Sequence, residues 1–202
     1  MATTKAELRR EIRSARVRRA PDHGEPEDLL AVVRAAGLLH PDGHSEVGAV
    51  TIAAYVAAPG EPDTAAIRAA VRAAGGRVLL PIPEPGRTLA WALDDGHYRP
   101  APRLPVPMPT GPAVGTGAGG LVEAGVTLVL APALAVDRSG GRLGQGGGFY
   151  DGVLGVLPPG IEVLVVVHDG EVLPAGSIPR EAHDSAVTRA LTAAGIVDLI
   201  DG

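Results

Sequence analysis

Apolar positions along the chain follow two periods, and each change of period marks a change of element. Over residues 4–20 the period is helical. Leu8, Ile12 and Ala15 share a face, Thr4-x-x-Glu7 forms a capping box ahead of them, and Pro21 should end the helix. Residues 26–38 predict a second helix with Leu29, Leu30 and Val33 inward. Val50 to Val56 reads as a strand. Gly60-Glu61-Pro62-Asp63-Thr64 reads as a turn, with Pro62 suited to the first turn of a helix running through Ile67 and Val71 to Gly75. Val78–Leu80 and Leu89–Leu93 are short strands. The Pro- and Gly-rich stretch 96–120 predicts a long irregular connection. Val126–Leu130 and Ile161–Val167 are continuous apolar runs of strand length, as expected where helices cover both faces of a sheet. Val187–Leu191 is the last strand-like piece. Strands alternating with helices predict an α/β fold with a mostly parallel sheet.

Length and composition narrow this picture. A chain of 202 residues, 46% apolar, suits one α/β domain over 1–202. It has no cysteine, which excludes disulfides, thiolate metal sites and a cysteine nucleophile and fits a reducing cytoplasm. The charged amino-terminal residues do not resemble a signal peptide, and the apolar runs at 126–136 and 161–167 are too short to span a bilayer. A net charge of −5 argues against a nucleic-acid partner. The expectation is a cytoplasmic protein with neither membrane nor nucleic-acid partners.

Charge placement raises a further question. Lys5, Arg9, Arg13 and Arg16 form a basic stripe on the first helix, and Lys5 is the only lysine of the chain. A solvated face is the ordinary explanation of such a stripe. Yet Lys5 and Arg9 occupy the first two turns, where the helix dipole gains nothing from cations. A lysine kept among arginines either survives by chance at an exposed position or meets a need for a flexible point charge.

The most informative segment follows the Val126–Leu130 run: Asp137, Arg142, Leu143, Gly144, Gln145, Gly146, Gly147, Gly148, Phe149, Tyr150 and Asp151. A strand enters a loop stripped of Cβ atoms, and a helix is expected through Val153, Leu154 and Leu157. Such a loop lets main-chain N–H groups approach an anion, and a helix start adds donors. A Walker A loop would end in Gly-Lys-Ser/Thr, whereas Gly148 precedes Phe149-Tyr150. A dinucleotide fingerprint needs a different glycine spacing, early in the chain. Arg142 before the glycines and Asp151 after them suit a phosphate clamp and a Mg²⁺ ligand. The structural alternative is a tight turn packed under the sheet.

Pro132-Ala-Leu-Ala-Val-Asp137 followed by Arg142 through Asp151 resembles the signature of the 5-formyltetrahydrofolate cyclo-ligases. Lys5-x-x-Leu8-Arg9, Tyr55 through Glu61-x-x-Thr64, Gly76 through Pro81, and Ile178-Pro179 with His183-Asp184 agree with that family in order and spacing. The resemblance implies a three-layer α/β fold. It also implies an ATP- and Mg²⁺-dependent reaction, in which the formyl oxygen of 5-formyltetrahydrofolate is phosphorylated and the ring closes to 5,10-methenyltetrahydrofolate. Carried over by position, Lys5, Arg9 and residues 142–150 hold ATP, with Arg142 and Tyr150 also catalytic. Val56 and Glu61 contact the folate, and Asp151 and Asp184 bind Mg²⁺. Taken alone, Glu61 is equally a carboxylate complementing a helix start, and Asp184 an ordinary turn residue. Tyr150 stacks on folate or adenine, or belongs to the core. Asp137 orients the loop or supports a metal ligand.

Gly152 stands where the family often has Arg, and Met108-Pro109 where it usually has Glu-Pro. Aromatic side chains are few. These departures keep two alternatives open: an ATP-dependent ligase or kinase on the same scaffold with another substrate, and a folate- or nucleotide-binding protein without turnover. A monomer or a weak homodimer is expected.

Overall fold

The computed structural model describes residues 4–19, 25–39, 50–101, 104–181 and 184–199. Pro21 and His183 lie outside them. Five α-helices are formed among these residues: α1 (Lys5–Arg18), α2 (Glu25–Ala35), α3 (Ala65–Ala73), α4 (Gly117–Glu123) and α5 (Asp151–Leu154). The strands are β1 (Thr51–Ala53), β2 (Arg77–Glu84), β3 (Thr88–Leu93), β4 (Tyr98–Ala101), β5 (Leu104–Pro109), β6 (Ala113–Thr116) and β7 (Leu128–Pro132). They continue as β8 (Ala135–Asp137), β9 (Arg142–Leu143), β10 (Glu162–Val166), β11 (Val172–Leu173), β12 (Arg189–Thr192) and β13 (Gly195–Asp198).

The main sheet runs β13-β12-β10-β7-β1-β2-β3-β6. Pairing is parallel from β12 through β10, β7 and β1 to β2, and antiparallel at both edges. The apolar run of β7 explains the layers. Leu128 and Leu130 point to one face, with Leu29, Val33, Ile67 and Val71 of α2 and α3. Val129 and Ala131 point to the other, with Leu121 of α4 and Val153 of α5. Period-two alternation within a wholly apolar strand thus serves two cores at once.

Several expectations are corrected. The stretch 96–120 is not irregular: it holds the β4–β5 ribbon, β6 and α4. Proline is tolerated in such a ribbon because it lies apart from the central ladder. Pro62 does not begin α3. Its carbonyl accepts from Tyr55 Oη at 2.7 Å, and Thr64 is the residue before the helix. The inward face of α1 carries Ile12 and Arg16, while Ala15 is exposed. A final strand, β13, pairs antiparallel with β12 beyond the last strand the pattern predicts. Among the described residues, no helix is long and apolar enough to cross a membrane.

Candidate ligand-binding cleft

The carboxyl ends of β7, β1 and β10 open onto one cleft of about 1550 Å³, where ligands of parallel sheets ordinarily sit. Its walls are α1, the turn around Glu61 and the glycine loop.

The loop is anchored before it becomes bare. Asp137 is buried at the end of β8, where its carboxylate accepts from the amides of Ser139, Gly141 and Ile178 and from the Ser139 hydroxyl. Burial works against its charge, but these hydrogen bonds outweigh it and hold the carboxyl below its ordinary pKa. Asp137 therefore orients the loop. β8 and β9 form a short antiparallel pair, and beyond Leu143 the chain leaves it. Among the described residues, the amides of Gly144 through Phe149 donate no hydrogen bond. Gly146 and Gly148 have φ of 104° and 69°, the left-handed region that glycine tolerates. A Cβ at Gly147 would lie 2.8 Å from the Phe149 ring.

Two side chains of the basic stripe of α1 reach this loop. Arg9 Nε donates to the Gly144 carbonyl at 3.0 Å, and Arg13 Nη2 to the Gln145 carbonyl at 2.8 Å. Arg16 is buried against Glu171, with Nε–Oε1 at 2.8 Å. Lys5 Nζ donates to Asp184 at 2.6 Å and lies 3.3 Å from Glu181. Burial lowers the lysine pKa, but these two carboxylates more than compensate and raise it. Arg142, buried, pairs with Asp151.

Three cleft-lining residues carry a buried donor with no hydrogen-bond partner among the described residues: Tyr150 Oη, Arg142 Nε and Arg16 Nη1. Burial also raises the Tyr150 pKa well above its ordinary value, so the phenol remains a donor. Leaving such a group unpaired costs about 1–3 kcal/mol, a cost that a ligand acceptor would remove. Of the roles its sequence position left open, Tyr150 takes the core one. Its ring packs edge-on against Trp91, with centroids 6.5 Å apart, while its residue lines the cleft.

The match to known proteins adds to this geometry. The model of the 5-formyltetrahydrofolate cyclo-ligase family matches residues 1–193. The chain belongs to that family. A 5-formyltetrahydrofolate cyclo-ligase of Mycolicibacterium smegmatis is 41% identical over 150 residues, covering 70% of this chain and 73% of the relative. In fold, the chain is similar to the 5,10-methenyltetrahydrofolate synthetase of Aquifex aeolicus. That likeness has a TM-score of 0.68 at 22% identity and covers 98% of this chain and 94% of the other. The synthetase of Mycoplasma pneumoniae gives 0.65 at 16% identity, covering 94% and 98%.

Nearly all the positions singled out by resemblance to the cyclo-ligases meet at the cleft: Lys5, Arg9, Val56, Glu61, Arg142, Gly144 through Asp151, and Asp184 line it. Leu143 is the exception. Its side chain is wholly buried with Ile12 and Leu134. Glu61 accepts from the Ala58 amide at 3.0 Å and from Gln145 Nε2 at 3.1 Å, so a side chain of the glycine loop touches the turn. The expected helix after the loop is only the single turn α5, so the loop amides and guanidinium groups, not a helix dipole, supply the positive potential.

No group of three metal-ligating side chains exists among the described residues. Asp151 and Asp184 both line the cleft, where Asp151 is paired with Arg142 and Asp184 with Lys5. The two departures from the family pattern lie off the cleft. A Cβ at Gly152 would meet open space, and Met108 is buried within the β4–β5 ribbon.

Arg87 and His168 are among the cleft residues that were not legible in advance. Arg87, at the β2–β3 turn, has a positive φ of 64°, and its side chain lies over Gly148. Nothing in Pro85-Gly86-Arg87 signals this. His168 follows the apolar run of β10, and its place at the carboxyl end of a parallel strand was the available clue. Among the described residues, Arg9, Arg13 and Arg87 have no carboxylate partner.

Proposed function

We propose that this member of the cyclo-ligase family converts 5-formyltetrahydrofolate to 5,10-methenyltetrahydrofolate at the expense of ATP. The observation that carries the reading is the set of unpaired amides from Gly144 to Phe149, which open onto the same cleft as Glu61. The bare amides, with Arg9, Arg13 and Arg87 around them, receive the phosphates. Lys5 exchanges its carboxylate partners for a phosphate oxygen. Asp151 and Asp184 would hold Mg²⁺, which neutralises phosphate charge.

On this reading the γ-phosphoryl group passes to the formyl oxygen and ADP leaves. N10 of the folate then attacks the activated carbon, loses its proton, and inorganic phosphate departs as the ring closes. The protein supplies alignment and charge, as phosphoryl transfer requires, rather than a nucleophile. The Tyr150 hydroxyl and Arg142 Nε donate to the transferring group or its acceptor. Glu61 accepts from the amino and N–H groups of the pterin when Gln145 swings away. Val56 packs against the ring. The same reading makes the chain a single-domain cytoplasmic enzyme, a monomer or weak homodimer without nucleic-acid or membrane partners.

The test is spectroscopic. Purified protein given 5-formyltetrahydrofolate, ATP and Mg²⁺ should produce the methenyl absorbance, and omission of ATP or Mg²⁺ should abolish it. Binding of the folate without conversion would overturn the reading in favour of sequestration. Release of ADP with another acid substrate only would favour a different ligase or kinase.

A further inference from the structure

The turn that carries Glu61 is fastened by a buried histidine and a partly buried glutamate that have no part in the chemistry above. His168 is 4% exposed. Its Nε2 lies 3.1 Å from the Gly60 carbonyl oxygen, and its Nδ1 lies against Glu25 Oε1, on the first residue of α2. Both side chains line the cleft. A carbonyl cannot donate, so Nε2 carries a hydrogen. Nδ1 and the carboxylate then need a second proton between them. Imidazolium with carboxylate, or imidazole with carboxylic acid, satisfies the geometry; a neutral ring beside an ionised carboxylate does not.

The other charged neighbours are already matched. Glu171 Oε2 accepts from the His168 amide at 2.9 Å, and its carboxylate is paired with Arg16. Asp169, next along the chain, accepts from the Ala194 amide. Glu61, adjacent to Gly60, is occupied by Ala58 and Gln145. Glu25 is therefore the carboxylate left to the ring.

We propose that His168 is a positioning residue for the substrate half of the cleft: the proton shared with Glu25 keeps the ring donating to the Gly60 carbonyl, which fixes where Glu61 meets the folate. This rests on the reading of Glu61 as a folate contact. Loss of the proton turns a ring lone pair toward an oxygen, and the turn loses its anchor. The phosphate half, built on α1 and the glycine loop, is not fastened this way. Loss of this contact weakens folate binding and leaves ATP binding in place.

The experiment measures kcat and KM for 5-formyltetrahydrofolate and for ATP, with direct titration of the folate alongside. His168→Gln should raise the folate KM about tenfold, the loss of ~1.4 kcal/mol of binding, while kcat and the ATP KM stay within about twofold. Glu25→Ala, which removes the ring's second partner, should raise the folate KM in the same direction. It keeps the inference testable if His168→Gln fails to fold. An unchanged folate KM in both variants, or a parallel shift in both KM values, overturns it. A wild type that binds neither folate nor ATP, or turns nothing over, removes the functional reading itself. A working wild type with a folate KM unmoved in both variants removes only this inference.

Discussion

Tyr150 concentrates the argument at the scale of single residues. A hydroxyl that is buried and unpaired among the described residues weakens the fold, and on the proposed function a ligand acceptor supplies its missing partner. Tyr150→Phe should leave thermal stability unchanged or slightly higher, because the uncompensated polar group disappears. The rate of methenyl formation should fall about tenfold, the worth of one ordinary hydrogen bond. Differential scanning fluorimetry beside the kinetic assay separates the two effects; a loss of stability matching the loss of rate would make the residue structural. Lys5 differs in kind, being half-buried and ion-paired at the edge. Lys5→Ala should raise the ATP KM by about 10–100-fold, as loss of a charge-assisted contact does, with the fold intact. An unaltered ATP KM would assign the lysine to holding Asp184. Arg142→Ala carries a larger penalty than Lys5→Ala, because it strips Asp151 of its buried partner.

At the scale of elements, the glycine loop works because something rigid precedes it. Asp137 gathers four donors, from 139, 141 and 178, and thereby fixes the start of β9 and the exit into the glycines. Asp137→Asn should cost about 1–3 kcal/mol in urea unfolding and weaken ATP binding in the same variant. Loss of one without the other would separate the anchor from the site. The loop was legible in the sequence because its signal is local: consecutive glycines between a charged pair. The stripe of α1 was legible as charge but not as direction. Spacing alone places Arg9 and Arg13 on a face and does not say that Gly144 and Gln145 will lie opposite. The β4–β5 ribbon was hidden by its prolines, which weigh against a strand locally and are tolerated outside a central ladder. Arg87 was hidden for the converse reason, since its backbone conformation is imposed by the hairpin and not by its own preference.

At the scale of the whole molecule, the parallel sheet does the assembling. Segments more than a hundred residues apart reach one cleft because β1, β7 and β10 end side by side. The two apolar runs predicted strands covered on both faces, and in the structure the alternation along β7 turns one set of side chains to α2 and α3 and the other to α4 and α5. Acid stability follows from two buried carboxylates. Burial opposes the charge of Asp94, but hydrogen bonds from Tyr98 and Arg68 outweigh it and lower its pKa, as happens at Asp137. Groups depressed in the folded state contribute fully above their unfolded values, near pH 4, and lose that contribution as pH falls through the folded ones. Unfolding free energy should therefore fall on acidification below about pH 4, and less steeply in Asp137→Asn. An acid limb identical in the variant would place the titration elsewhere.

The most direct measurement is an amide-resolved NMR titration of the ¹⁵N-labelled protein with Mg²⁺ and a non-hydrolysable ATP analogue. The largest shifts should fall on the amides of Gly144, Gly146, Gly147 and Gly148, with smaller ones at the start of α1. Saturable binding that leaves those four glycine amides unmoved would contradict the account.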